Sequence, residues 1–253
     1  MRAPRPPGSG LRKHASGHLS LARLMPNLVT ILGLCAGLSA IRFTFEGAFE
    51  LAAGLILFAA LLDAVDGLLA RQLDAASDFG AELDSLADFV NFGVAPGVLV
   101  FVYALHGEVD GPGWVFVLVF AVCSCLRLAR FNISRDDPKP AGRQYFVGVP
   151  APAGAMLAML PVFAGLAEVT EPDRAPLAVA LWLGVVGLLM VSRLPTPSIK
   201  GLRVQRDRAL WLLIGTAFVV GLGLTRFWLM VLVVNLIYLG SIVVVAALRR
   251  RAG

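Results

Sequence analysis

Charge is what this chain has least of. Only 15% of its 253 residues are Asp, Glu, Lys or Arg, whereas 58% are hydrophobic. A water-soluble domain carries about 25% charged and about 45–50% apolar residues, so that class is excluded. Cysteine is scarce as well. Cys35, Cys123 and Cys125 all fall in apolar runs. An odd, badly spaced set offers neither a disulfide framework nor a zinc site, so the three are expected to be small buried core residues. Histidine is limited to three. His14 and His18 lie in a Pro/Arg-rich tail expected to be solvated, and His106 lies in a short loop, so none marks a metal centre. No internal repeat is visible, which argues against a transporter built from two related halves. The net charge of +5 is too small to imply a nucleic-acid partner, and none is expected.

What the chain does have is long apolar runs. The first, from about Leu24 to Ile41, is too long for a signal-peptide core and has no cleavage site, so it reads as a retained helix. Eight spans are expected, at 24–43, 48–70, 84–104, 114–132, 150–167, 176–192, 209–223 and 227–247. The fifth to seventh are short against the roughly 20 residues a bilayer needs. The expected fold is therefore all-α, a polytopic transmembrane bundle. It divides into a basic disordered tail (1–18), a membrane core (19–192), and a region (193–253) comprising a basic loop and two additional spans.

The basic residues orient it. With the N-terminus in the cytoplasm, 19 of the 22 Lys and Arg residues fall on the cytoplasmic side, and only Arg42, Arg174 and Arg226 fall outside. Both termini are then cytoplasmic. Loop 193–208 carries five basic residues and is expected to rest on anionic lipid. Trp114, Trp182, Trp211 and Trp228 lie near expected span ends, as interface anchors do.

Against this background four aspartates stand out. Asp63 and Asp66 are three apart and Asp84 and Asp88 four apart, so each pair shares one helix face. An unpaired carboxylate at a membrane boundary costs several kcal/mol, and four together need compensation. Two opposed acidic faces form an oxygen-rich cage for Mg²⁺ or Mn²⁺. Gly67 and Ala70 leave the Asp63/Asp66 face open to a ligand, and Arg71 ends that helix with a cation suited to phosphate. Residues 75–80 are expected to break the helix, with Gly80 giving the next one room to turn inward. Asp74, Asp78 and Glu82 are expected to pair with arginines at a solvated helix end. Metals beside a phosphate-binding arginine suit phosphoryl transfer, with a carboxylate taking the proton of an attacking hydroxyl.

The pattern D-x2-D-G-x2-A-R-x8-G-x3-D-x3-D over residues 63–88 resembles the signature of the CDP-alcohol phosphotransferases at every fixed position. That resemblance implies a six-helix core, usually dimeric, that joins a CDP-linked lipid to an alcohol and releases CMP. It implies metal ligation by Asp63, Asp66 and Asp84, with two divalent ions. It makes Asp88 the general base and a possible metal contact, and it places Gly67, Ala70, Arg71 and Gly80 at the nucleotide. Pro26-Asn27-Leu-Val-Thr30 is similar to the family's first-helix motif, whose Asn and Thr approach the nucleotide; Pro-Asn also commonly opens a helix.

Segments 84–96, 127–132 and 146–152 resemble the branch of the family whose acceptor is L-serine and whose donor is CDP-diacylglycerol. Val149 stands where that branch often has Leu. Arg127 and Arg130 share a helix face, where one could clamp the serine carboxylate and the other a lipid phosphate, with Asn132 orienting either. Snorkelling to lipid headgroups is the plainer alternative for both arginines. The implied setting is the bacterial inner membrane, with the active site cytoplasmic. The rival readings are a sister enzyme using glycerol 3-phosphate or inositol phosphate, and an ion-coupled transporter. The latter would place charges near the bilayer midplane on several spans, rather than at one end of two.

Overall fold

The computed structural model describes residues 21–73, 77–107, 110–133, 146–192, 195–196, 215 and 221–252. Helices account for nearly all of it. They are α1 (Leu21–Phe45), α2 (Phe49–Gln72), α3 (Asp78–Leu105), α4 (Asp110–Ile133), α5 (Ala151–Ala158), α6 (Leu160–Leu166), α7 (Pro176–Val191) and α8 (Phe227–Ala252). Two residues on each side, Phe146–Val147 and Pro195–Thr196, pair antiparallel. Five of the helices are long and apolar enough to cross a membrane, and α7 is a shorter apolar helix. The protein is an all-α integral membrane protein.

The expected spans correspond to these helices, with local differences. The seventh span falls largely outside the described residues. The third begins at Asp78 instead of 84, because the Ser77 hydroxyl accepts a hydrogen bond from the Gly80 N–H and starts the helix there. Helix α2 thus ends at Gln72 and α3 begins at Asp78, with Gly80 in the first turn of α3. Pro26 does not open α1; it lies inside that helix. The fifth span is divided at Met159. Pro161 has no N–H to offer the Leu157 carbonyl, and the indole Nε1 of Trp182 donates to that carbonyl at 2.8 Å instead. Trp182 is therefore a tie between helices and not an interface anchor. Trp114 and Trp228 do lie near helix starts, and Trp211 is outside the described residues.

Helix α3 is α-helical as far as Asp88 and then loosens into a π-helical turn at Phe89–Val94, where the Ala95 N–H reaches back five residues to Val90 O. A second π turn occurs at Phe101–Leu105. Each such turn inserts one residue into the helical ladder and rotates the faces of the helix beyond it.

Helices α1 and α2 pack along one another, as do α4 and α7. Small residues make this possible, as is usual where lipid removes the hydrophobic drive to associate. A Cβ on Gly184 would come within 2.7 Å of the Phe116 ring, and one on Gly187 within 3.1 Å of the Phe120 backbone. The core they enclose includes Ile56, Phe92, Leu99, Phe120, Phe163 and Leu183. Helix α8 covers α5 and α6, with Trp228 stacked on Phe163 at 6.1 Å between ring centroids. Of the cysteines only Cys123 is buried. Cys35 and Cys125 are exposed on outward faces, which in a membrane bundle meet lipid rather than core.

Candidate active site

The four aspartates meet. Asp63 and Asp66 on α2 and Asp84 and Asp88 on α3 line one small cavity with Thr30 and Gly33 of α1, Ala59 of α2, and Ala87 and Asn91 of α3. Each of Asp63, Asp66 and Asp84 places a carboxylate oxygen so that all three lie within 4.8 Å of one another. Three hard anionic oxygens at that separation suit a divalent cation.

The helices stack these groups in three tiers, one turn apart. Thr30 and Asp66 form the outermost tier, where the buried Thr30 hydroxyl donates to Asp66 Oδ2 at 2.7 Å and lies 3.0 Å from the Pro26 carbonyl. Asp63 and Asp88 form the middle tier and face each other in the cavity. Asn91 forms the innermost, wedged against Gly37. Reading Thr30 as a nucleotide contact misses this first role: it fixes the rotamer of an acid.

Asn27 and Gly80 are brought together. A Cβ on Gly80 would stand 2.8 Å from Asn27 Oδ1, so glycine lets α3 start hard against α1. Gly67 faces open space apart from the Arg71 guanidinium. Arg71 is exposed, and its Nε donates to the Gly67 carbonyl at 2.8 Å, which holds the cation at the end of α2. Ala70 is half-buried on the same helix. Asp78 and Glu82 are exposed and make no ion pair among the described residues, contrary to expectation; Asp78 lies instead in the first turn of α3, where the helix dipole favours an anion. Asp74 lies outside the described residues.

The three residues considered for serine or lipid phosphate separate. Arg127 is within electrostatic reach of Asp88 and of Tyr238 on α8, and its buried Nε has no hydrogen-bond partner in the described structure. Arg130 donates from Nη1 to the Val191 carbonyl at 2.8 Å, at the end of α7. Asn132 Nδ2 donates to Ser85 Oγ at 3.0 Å, tying α4 to the turn between Asp84 and Asp88. Ser85, Asn91 and Tyr238 are not singled out by the sequence reading. A signal for Asn91 is nevertheless present: it stands three residues beyond Asp88, on the same face.

A larger open depression, of about 510 Å³, lies at the other end of α3, lined by Gly165, Glu168, Val169, Thr170, Glu171 and Arg174. Its acids are engaged: Glu171 pairs with Arg174, and Glu168 lies 3.9 Å from Arg226. The convergent chemistry is at the aspartates.

A family model described as CDP-alcohol phosphatidyltransferase matches residues 23–191, two thirds of the chain and every member of the acidic cavity. The chain belongs to the CDP-alcohol phosphatidyltransferase family. Among characterised members, it is 39% identical over 221 residues to a CDP-diacylglycerol–serine O-phosphatidyltransferase of Mycobacterium tuberculosis, covering 86% of this chain and 76% of that one. Proteins of the same name from Helicobacter pylori and Bacillus subtilis are each 33% identical, over 194 and 176 residues. These matches cover 76% and 70% of this chain, and 78% and 91% of the relatives. As a CDP-alcohol phosphatidyltransferase, the chain has its acid cavity on the three helices that open the matched region.

Proposed function

We propose that this enzyme transfers the phosphatidyl group of CDP-diacylglycerol to the hydroxyl of L-serine, giving phosphatidylserine and CMP. The observation that carries the reading is the convergence of four carboxylates from α2 and α3 in one cavity of a membrane protein. The relatives' shared name supports serine as the acceptor.

In the proposed reaction Asp88 takes the proton of the serine hydroxyl. The hydroxyl oxygen attacks the phosphorus that bears the diacylglycerol; the bond from that phosphorus to the bridging oxygen breaks, and CMP leaves with the electron pair. Asp63, Asp66 and Asp84, with Asp88 at their edge, would hold two Mg²⁺ or Mn²⁺ ions, which when bound neutralise the pyrophosphate and stabilise the departing CMP. Thr30 keeps Asp66 aimed inward. Asn27, Gly67, Ala70, Arg71 and Gly80 form the nucleotide side, where glycines admit the ligand close to backbone and Arg71 meets a phosphate. Arg127 is the proposed partner of the serine carboxylate, since its Nε has no partner among the described residues and it faces the base. Arg130 and Asn132 contribute by holding α4 in place.

The proposal includes a cytoplasmic site, cytoplasmic termini and a homodimer in a bacterial inner membrane. The positive-inside distribution supports the orientation, and the family resemblance supports the dimer.

The test offers purified enzyme CDP-diacylglycerol with serine, glycerol 3-phosphate or inositol phosphate, and reads CMP release. Serine alone should support turnover, and EDTA should abolish it. CMP release with glycerol 3-phosphate and not with serine would refute the acceptor assignment.

A further inference from the structure

Asn91 is an anomaly that the proposed reaction leaves unexplained. It is 3% exposed, yet its Oδ1 has no hydrogen-bond partner in the described structure. A buried, unmade amide hydrogen bond destabilises a fold by about 1–3 kcal/mol. Another buried asparagine avoids that cost. Asn235, also buried, donates its Nδ2 to the Val231 carbonyl four residues back at 2.9 Å. Asn91 lies instead within the π-helical turn Phe89–Val94, and the cleft that receives it is made of glycine. Its Oδ1 abuts Gly37, so closely that no Cβ could be added there. Its Nδ2 faces the cavity-lining Gly33, one turn nearer the middle tier. A leucine or valine would satisfy the apolar surroundings without an orphaned polar atom.

We propose that Asn91 is a positioning residue for the cation site. Its amide N–H group, beside Gly33 in the cavity lining, would hold the Asp63 and Asp88 carboxylates from below when divalent ions bind, so that both present oxygens outward. This rests on the metal-dependent reaction proposed for the same cavity. Three observations converge on it. Asn91 lines the same cavity as all four aspartates. It stands one turn below Asp88 on the same face of α3. The π turn and the Gly33/Gly37 cleft are the devices that let a polar side chain reach under the acids. Groups that orient metal ligands hold the first shell in its binding geometry, and their loss weakens metal binding without removing a ligand.

The experiment titrates Mn²⁺ alone into the purified full-length chain and its Asn91→Leu and Asn91→Ala variants. It also measures thermal stability and the Mn²⁺ dependence of CMP release. Asn91→Leu should bind Mn²⁺ about 10–100-fold more weakly. Its melting temperature should be unchanged or higher, because an unpaired polar atom has gone. Saturating Mn²⁺ should restore most of kcat, which a folding defect would not allow. Asn91→Ala fits wherever asparagine does and repeats the test if leucine disturbs the fold. Mn²⁺ affinity within about twofold of wild type in either folded variant would overturn the proposal. That outcome, with serine-dependent CMP release intact in the wild type, would leave the proposed reaction standing. Wild-type protein that binds Mn²⁺ but makes no phosphatidylserine would instead overturn the acceptor, and the Mn²⁺ titrations would still decide the role of Asn91.

Discussion

At the scale of single residues, the site depends on acids whose neighbours decide what each one does. Asp66 is fixed by the Thr30 hydroxyl, whereas Asp63 and Asp88 face each other in the cavity. Asp88 also faces the Arg127 charge. Asp88→Asn keeps the shape and removes the base, so CMP release should fall by about 10²–10⁴-fold, the usual contribution of a positioned general base. The measurement is single-turnover CMP release at saturating Mn²⁺, and near-normal rates would remove Asp88 from that role. The aspartates are legible in sequence because their spacing carries the information: three and four residues set a face whatever surrounds them. Asn91 is not, because the apolar run 89–94 reads as continuous α-helix. A π turn is a departure from the i→i−4 ladder that composition does not announce.

At the scale of elements, the membrane helices are legible where they are long and uninterrupted, and less so where a partner decides their form. The first four expected spans correspond closely to α1–α4, since an apolar run in lipid has helix as its only solution. The fifth does not. Pro161 is visible in the sequence, but its consequence depends on Trp182, more than twenty residues away, which supplies the donor for the Leu157 carbonyl. Trp182→Phe leaves that carbonyl unpaired, with an expected loss of about 1 kcal/mol of stability. Thermal unfolding in detergent checks this, with activity retained, because α5 and α7 bring no residue to the acid cavity. Arg130 illustrates the same limit. On a helical wheel it shares a face with Arg127, and only the structure reveals its hydrogen bond to the end of α7.

At the scale of the whole molecule, polar groups are divided between the two ends of the bundle. The three arginines that the orientation leaves on the far side each have a glutamate: Arg42 with Glu46 at 2.8 Å, Arg174 with Glu171, and Arg226 with Glu168. Their charge is locally balanced, whereas at the other end three acids bring carboxylate oxygens within 4.8 Å of one another, close enough to share a cation. This division supports the proposed orientation. In intact cells a membrane-impermeant maleimide should label Glu46→Cys, between α1 and α2, and spare Phe79→Cys, at the start of α3, until the membrane is opened. The reverse pattern would invert the topology.

The tiered arrangement of the acids has a consequence for traffic through the enzyme. Asp63 and Asp88 lie a full turn below Asp66, so a phosphorus reaching them must be drawn beneath the rim formed by Thr30 and Asp66. In the proposed reaction, a donor anchored by two acyl chains would approach that rim sideways, within its leaflet. A small polar amino acid arrives from water and must descend. The finished headgroup of the proposed reaction would then form beneath the rim of Thr30 and Asp66 and leave past it.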